Sequence, residues 1–226
     1  LEYYKMKKLY KLKIKENIRL DNIDLKENDI IYVSSVDNPL SKIITPEMTN
    51  WYYKRTHNHI NLVQKYCRII QDKFGDRFIG LIENARYHDK LKLEEPELTP
   101  YIIITWDYYC NDNKIKFDIS DDIRKNLYKA TEHHVTNSPH HPEYWQDRKE
   151  NILDINSRDG TTIPNGMIDA TKMPDIYVAE MCADFCSMSE ERHNTPFEWF
   201  SKVNGIRWKF SEKQIILIIS ILEKIW

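Results

Sequence analysis

Between Trp51 and Gly75 the chain carries apolar residues at helical spacing. Trp51, Ile60, Val63, Tyr66, Cys67 and Ile70 fall on one stripe, the pattern of an amphipathic helix with one buried face. The same period returns downstream, so the expected fold is mainly α, a helical bundle. A second helix is predicted over 77–88, with Phe78, Leu81, Ile82 and Ala85 inward. A third is predicted over 100–110; its Tyr101–Trp106 run is aromatic and β-branched, so a strand competes there, and the helical neighbours favour helix. A fourth opens at Ser120, a suitable N-cap before Asp121 and Asp122, and closes between His134 and Asn137, ahead of Pro139. A fifth covers 174–191, with Pro174 in its first turn. A short helix over 196–203 and a final one over 211–226 follow. The last has Ile215, Ile218, Ile219, Leu222 and Ile225 along one face. Ile216 and Leu217 then imply burial on more than one side, or a partner.

Residues 1–45 read differently, as an N-terminal extension. Lys11-Leu12-Lys13-Ile14-Lys15 alternates and Asp29–Val33 is β-prone, so a small β-hairpin fits, and the helical domain occupies 46–226. Residues 138–172 look irregular, and a long irregular segment in a compact domain is often functional. The formal net charge of -2 does not suit a dedicated nucleic-acid binder. The first twenty residues hold seven Lys or Arg against two Glu; a solvated tail or edge strand explains them, and phosphate binding stays open. Four cysteines without paired short spacings suit buried thiols in a reducing compartment. The most apolar stretch, Ile215–Leu222, is too short to span a membrane, so a cytoplasmic protein is expected.

The chain also groups its histidines. Seven of eight fall in three clusters: His57 and His59; His88 beside Asp89; His133, His134, His140 and His141. Histidine is the commonest protein metal ligand. His88 and Asp89 stand where a helix ends, so two neighbouring side chains can reach one ion. His59 lies one turn before Val63 on the upstream helix. Lys92 follows Asp89 by three residues. Asp184 sits mid-helix among Met181, Ala183 and Phe185, with Glu180 one turn earlier. An aspartate buried there unpaired would be costly, and a metal removes that cost.

With these residues the chain resembles the HD superfamily of metal-dependent phosphohydrolases. The stretches His59–Val63, His88-Asp89-x-x-Lys92, Asn137–Glu143 and Met173-Pro174 leading to Glu180 and Asp184 are most similar to an uncharacterised HD-like family of phages and large DNA viruses. The resemblance covers about residues 49–220. It implies an HD-like helical bundle with His59, His88, Asp89 and Asp184 as ligands of a divalent metal (Mn, Fe, Zn, Mg or Co). It further implies a second ion held by one histidine from each later pair: neighbours on a helix point about 100° apart, so His133 and His134 cannot both face the site, and of the two pairs His134 and His141 are favoured. Glu180 is either the last carboxylate or the group that holds a ligand imidazole by its other nitrogen. His57 and His193 are expected outside the site.

The implied activity is hydrolysis of a nucleotide or other small phosphate ester by metal-activated water. Lys92 and Arg55 would neutralise phosphate, although Lys92 also fits ordinary surface sequence. Trp51-Tyr52-Tyr53 and Tyr144-Trp145 suit base stacking or core packing. Two alternatives stand beside this: an HD-type di-iron oxygenase, and a non-catalytic, metal-stabilised virion or interaction protein. The implied location is then host cytoplasm or virion, and a homodimer stays open.

Overall fold

Among the described residues helix dominates, as the periodicity predicts, and strands are few. The computed structural model describes residues 9–13, 18–20, 23–25, 30–34, 39–147 and 166–226. The chain divides into two compact units, one of residues 1–55 and 92–127, the other of residues 56–91 and 128–226.

In the first unit, β1 (Leu9–Lys13) pairs antiparallel with β4 (Ile30–Ser34), from Leu9 opposite Ser34 to Lys13 opposite Ile30. Inside it, β2 (Ile18–Leu20) pairs with β3 (Ile23–Leu25) in the same register. The long helix α1 (Pro46–Phe74) starts here and continues into the second unit. It begins at Pro46, where Thr45 Oγ1 accepts from Met48 N at 3.2 Å and caps the first turn. It stops where Gly75 takes φ 59°, a left-handed conformation that glycine adopts without cost. The run with strand propensity is helical: α3 (Leu98–Asp112) buries Leu98, Ile102, Ile103 and Ile104 against Met48 and Tyr52. Burial on several sides overrides the β preference of its isoleucines.

The second unit is organised around α5 (Asp175–Arg192), which is buried nearly all round. It packs against α2 (Leu81–Ala85), α6 (Pro196–Val203) and α7 (Glu212–Ile225). The end of α4 (Asp121–Asn137) and a short parallel pair, β5 (Ile168–Asp169) with β6 (Trp208–Lys209), complete it. All four cysteines are free and buried. Burial pushes the Cys186 thiol up to about 12. Among the described residues, no helix is long and apolar enough to cross a membrane.

Two expectations need correcting. The helix over 77–88 is broken: a 3-10 turn covers Gly75–Phe78, Gly80 takes φ 95°, and only Leu81–Ala85 is α-helical, with Ile82 exposed. The inward face of α7 is rotated. Leu217, Ile218, Ile221 and Leu222 are buried, while Ile216 and Ile219 are exposed. The cause is Gln214, whose Nε2 donates to the carbonyls of Ala170 (3.0 Å) and Met173 (2.8 Å). That anchor turns the i, i+3, i+4, i+7, i+8 face from Gln214 inward.

Candidate metal centre

The site is assembled from four places in the second unit. His59 lies on the buried stripe of α1, one turn before Val63 and one after Thr56. A histidine at a core-facing position needs a polar partner on each ring nitrogen. His88 and Asp89 follow α2; Asp89 takes φ 57°, a left-handed conformation that aspartate tolerates better than most residues. His134 comes from the last turns of α4, and His140 and His141 from the turn after it, closed by His141 N donating to Ser138 O. Glu180 and Asp184 lie one turn apart on α5.

These side chains meet around Asp89, which is 2% exposed. Its Oδ1 lies 3.1 Å from His134 Nε2, 3.6 Å from His140 Nε2 and 3.8 Å from His88 Nε2. Its Oδ2 lies 3.5 Å from His59 Nε2, which is in turn 3.2 Å from Asp184 Oδ1. Donors about 2.1 Å from one ion stand roughly 3–4 Å apart, so these separations suit shared coordination. The opposite ring nitrogens face outward to their own partners. His88 Nδ1 meets Glu180 Oε1 at 2.9 Å, and the same oxygen lies 3.7 Å from His140 Nδ1. His59 Nδ1 meets Ser187 Oγ at 3.2 Å and Glu191 Oε2 at 3.7 Å. His134 Nδ1 meets Ser138 Oγ at 3.4 Å. Imidazoles held by one nitrogen with the other aimed at a common centre are the usual arrangement of metal-ligating histidines. His88 Nε2 is buried with no hydrogen-bond partner, which a cation at the centre would supply. The buried His, Asp and Glu groups are able to hold a metal ion.

The electrostatics agree. Burial lowers the His59 pKa, but Asp184, Glu191 and Asp89 outweigh it and raise it to about 9. Burial raises the Asp184 pKa, but His59, His88 and His140 hold it well below the usual carboxylate range. Burial, reinforced by His88, pushes His140 well below its ordinary value and leaves it the neutral imidazole a metal needs. A metal bound through His59 Nε2 would have to displace the ring's proton, so the apparent affinity for zinc as a probe is expected to rise with pH up to about pH 9. Competition with a chromophoric chelator measures this; a flat profile would refute it.

A family model described as a family of unknown function, DUF5662, matches residues 48–224. The chain belongs to this family. The matched span of the DUF5662 chain contains every residue of the cluster. No curated protein and no solved structure matches it.

Of the residues picked from the sequence, His59, His88, Asp89, His134, His141, Glu180 and Asp184 all belong to this neighbourhood. Glu180 stands behind His88 as an anchor. His57 and His193 are exposed. One histidine was expected from the 140/141 pair, and both are present: the His141 ring lies 4.9 Å from that of His134 and 4.4 Å from that of His140. Arg55 and Lys92 belong to the first unit, where the Lys92 ammonium lies 5.3 Å over the Tyr101 ring. Sequence reasoning missed Ser138, Ser187 and Glu191. It also missed the role of Glu143, whose Oε1 accepts from Arg207 Nε (3.0 Å), Arg207 Nη2 (2.6 Å) and Trp208 Nε1 (2.9 Å).

Proposed function

We propose that this protein is a metal-dependent phosphohydrolase of the HD type, acting on a nucleotide or another small phosphate ester. One observation carries the reading: His59, His88, His134 and His140 turn Nε2 toward the Asp89 carboxylate. The order of His59, His88-Asp89, the later histidines and Asp184 along the chain supports the same assignment. A bound divalent ion would acidify a water molecule and polarise a phosphoryl oxygen.

The protein's own part is to hold donors and control access. Asp89 faces His59 with one oxygen and His134 and His140 with the other, so it suits a carboxylate shared between two ions. Glu180, Ser187 and Ser138 fix ring orientations from behind. Asp184 is the more open ligand, with 18% of its side chain exposed against 1% for Asp89. Substrate and water would therefore enter along the Asp184 edge.

Elemental analysis of protein purified without added metal, paired with a screen of nucleotides and generic phosphoesters, tests the proposal. Bound transition metal with phosphate release is the expected result. Oxygen consumption by iron-loaded protein without ester hydrolysis would select the di-iron alternative. Loss of folding on chelation, with neither activity, would leave the metal a purely structural role.

A further inference from the structure

The turn that carries His140 and His141 has supports of its own. It leaves α4 and runs into a 3-10 helix, Pro142–Trp145, that packs against β5. Trp145 Nε1 donates to Pro139 O at 2.8 Å and closes the turn on itself. Gln146 Oε1 accepts from Asp169 N at 2.9 Å and ties the far end to β5. Between these points the buried Glu143 gathers both Arg207 nitrogens and Trp208 Nε1 on one oxygen, Oε1. Arg207 is itself fixed: its N–H donates to Val203 O at 2.9 Å and its carbonyl accepts from Ile168 N at 2.8 Å. The Trp208 ring stacks on that of Phe185, with centroids 6.0 Å apart and planes 3° from parallel. Phe185 follows Asp184 on α5. Trp208 therefore bonds to the histidine turn through its indole N–H and packs through its ring on the helix of Glu180 and Asp184.

Resting on the reading that this cluster holds metal, we propose that Arg207 and Trp208, acting through Glu143, are positioning residues: they clamp the His140–His141 turn in register with α5, and metal affinity depends on that clamp. Donors built on a turn must be ordered when metal binds unless the turn is ordered beforehand, and the ordering cost appears as lost affinity. The clamp works by geometry. All three donors converge on Oε1, while Glu143 Oε2 is buried with no hydrogen-bond partner among the described residues. A glutamine therefore offers the same acceptor in the same place. A buried ion pair that only stabilised the fold would be replaceable by apolar packing. A clamp is not, because apolar side chains do not fix the direction of the turn.

The test compares full-length wild type with the double variant Arg207→Met, Glu143→Leu, whose apolar pair leaves no buried charge behind. Hydrogen exchange is read on metal-free protein, and zinc is the probe for affinity in a chelator competition. In the double variant the amides of His141 and Tyr144, which donate to Ser138 O and His141 O, should exchange faster, while those of α5 keep their protection. Zinc affinity should fall by more than about 10-fold. Glu143→Gln should keep wild-type exchange in the turn and wild-type zinc affinity, because Oε1 remains. Unchanged zinc affinity in the double variant, loss of protection spread equally over the turn and α5, or a loss in Glu143→Gln as large as in the double variant overturns the proposal. Wild type that takes up no zinc overturns instead the parent reading of a metal centre, and exchange in the metal-free turn still decides whether the clamp holds it.

Discussion

Asp89→Ala is expected to abolish metal binding and any phosphoesterase activity together. Its two oxygens lie 3.1–3.8 Å from four imidazole nitrogens, so no other residue touches as much of the cluster. Losing a group that merely orients a ligand typically costs about 10–100-fold in metal affinity; losing the shared ligand should exceed about 100-fold. Isothermal titration with zinc or manganese gives the number. Asp89→Asn separates charge from backbone, because asparagine also accepts the left-handed φ of 57°. It should fold like wild type and still bind metal poorly. Full metal content in Asp89→Asn would rule out a ligand role for the carboxylate.

Arg207→Met is expected to be the most damaging single change to stability among the residues outside the cluster. Arg207 is 8% exposed and Glu143 is fully buried. Removing the guanidinium strands a buried carboxylate, which typically costs about 3–5 kcal/mol. A domain of this kind has only about 5–15 kcal/mol in hand. Urea denaturation of metal-free protein measures the loss. Combining Arg207→Met with Glu143→Leu should recover most of it, because the buried charge then disappears with its partner. A single variant as stable as wild type would show that Trp208 alone satisfies Glu143.

Much of the fold was legible because period and caps act locally. The stripe ending at Gly75, the Ser120 cap and Pro174 each mark a boundary within a few residues of that found. The failures have long-range causes. The orientation of α7 depends on Gln214 reaching carbonyls some forty residues away. The break before α2 depends on a positive φ at Gly80 that apolar spacing does not register. In the site, His59 was legible because it interrupts a buried stripe, and Glu180 and Asp184 because they share a helix face. The joint presence of His140 and His141 was not, since a turn at Ser138 sets their directions. Arg207 had no signal at all: its meaning depends on Glu143, 64 residues away.

Glu180 has one more consequence. A single oxygen, Oε1, stands behind His88 at 2.9 Å and behind His140 at 3.7 Å. The two rings are neighbours, their centroids 4.1 Å apart, and only His88 is hydrogen-bonded to that oxygen. A small rotation of the carboxylate would release the His88 ring and shift a negative charge beside His140 at the same time. Glu180 is thus a hinge shared by two imidazoles: what moves it is felt by both.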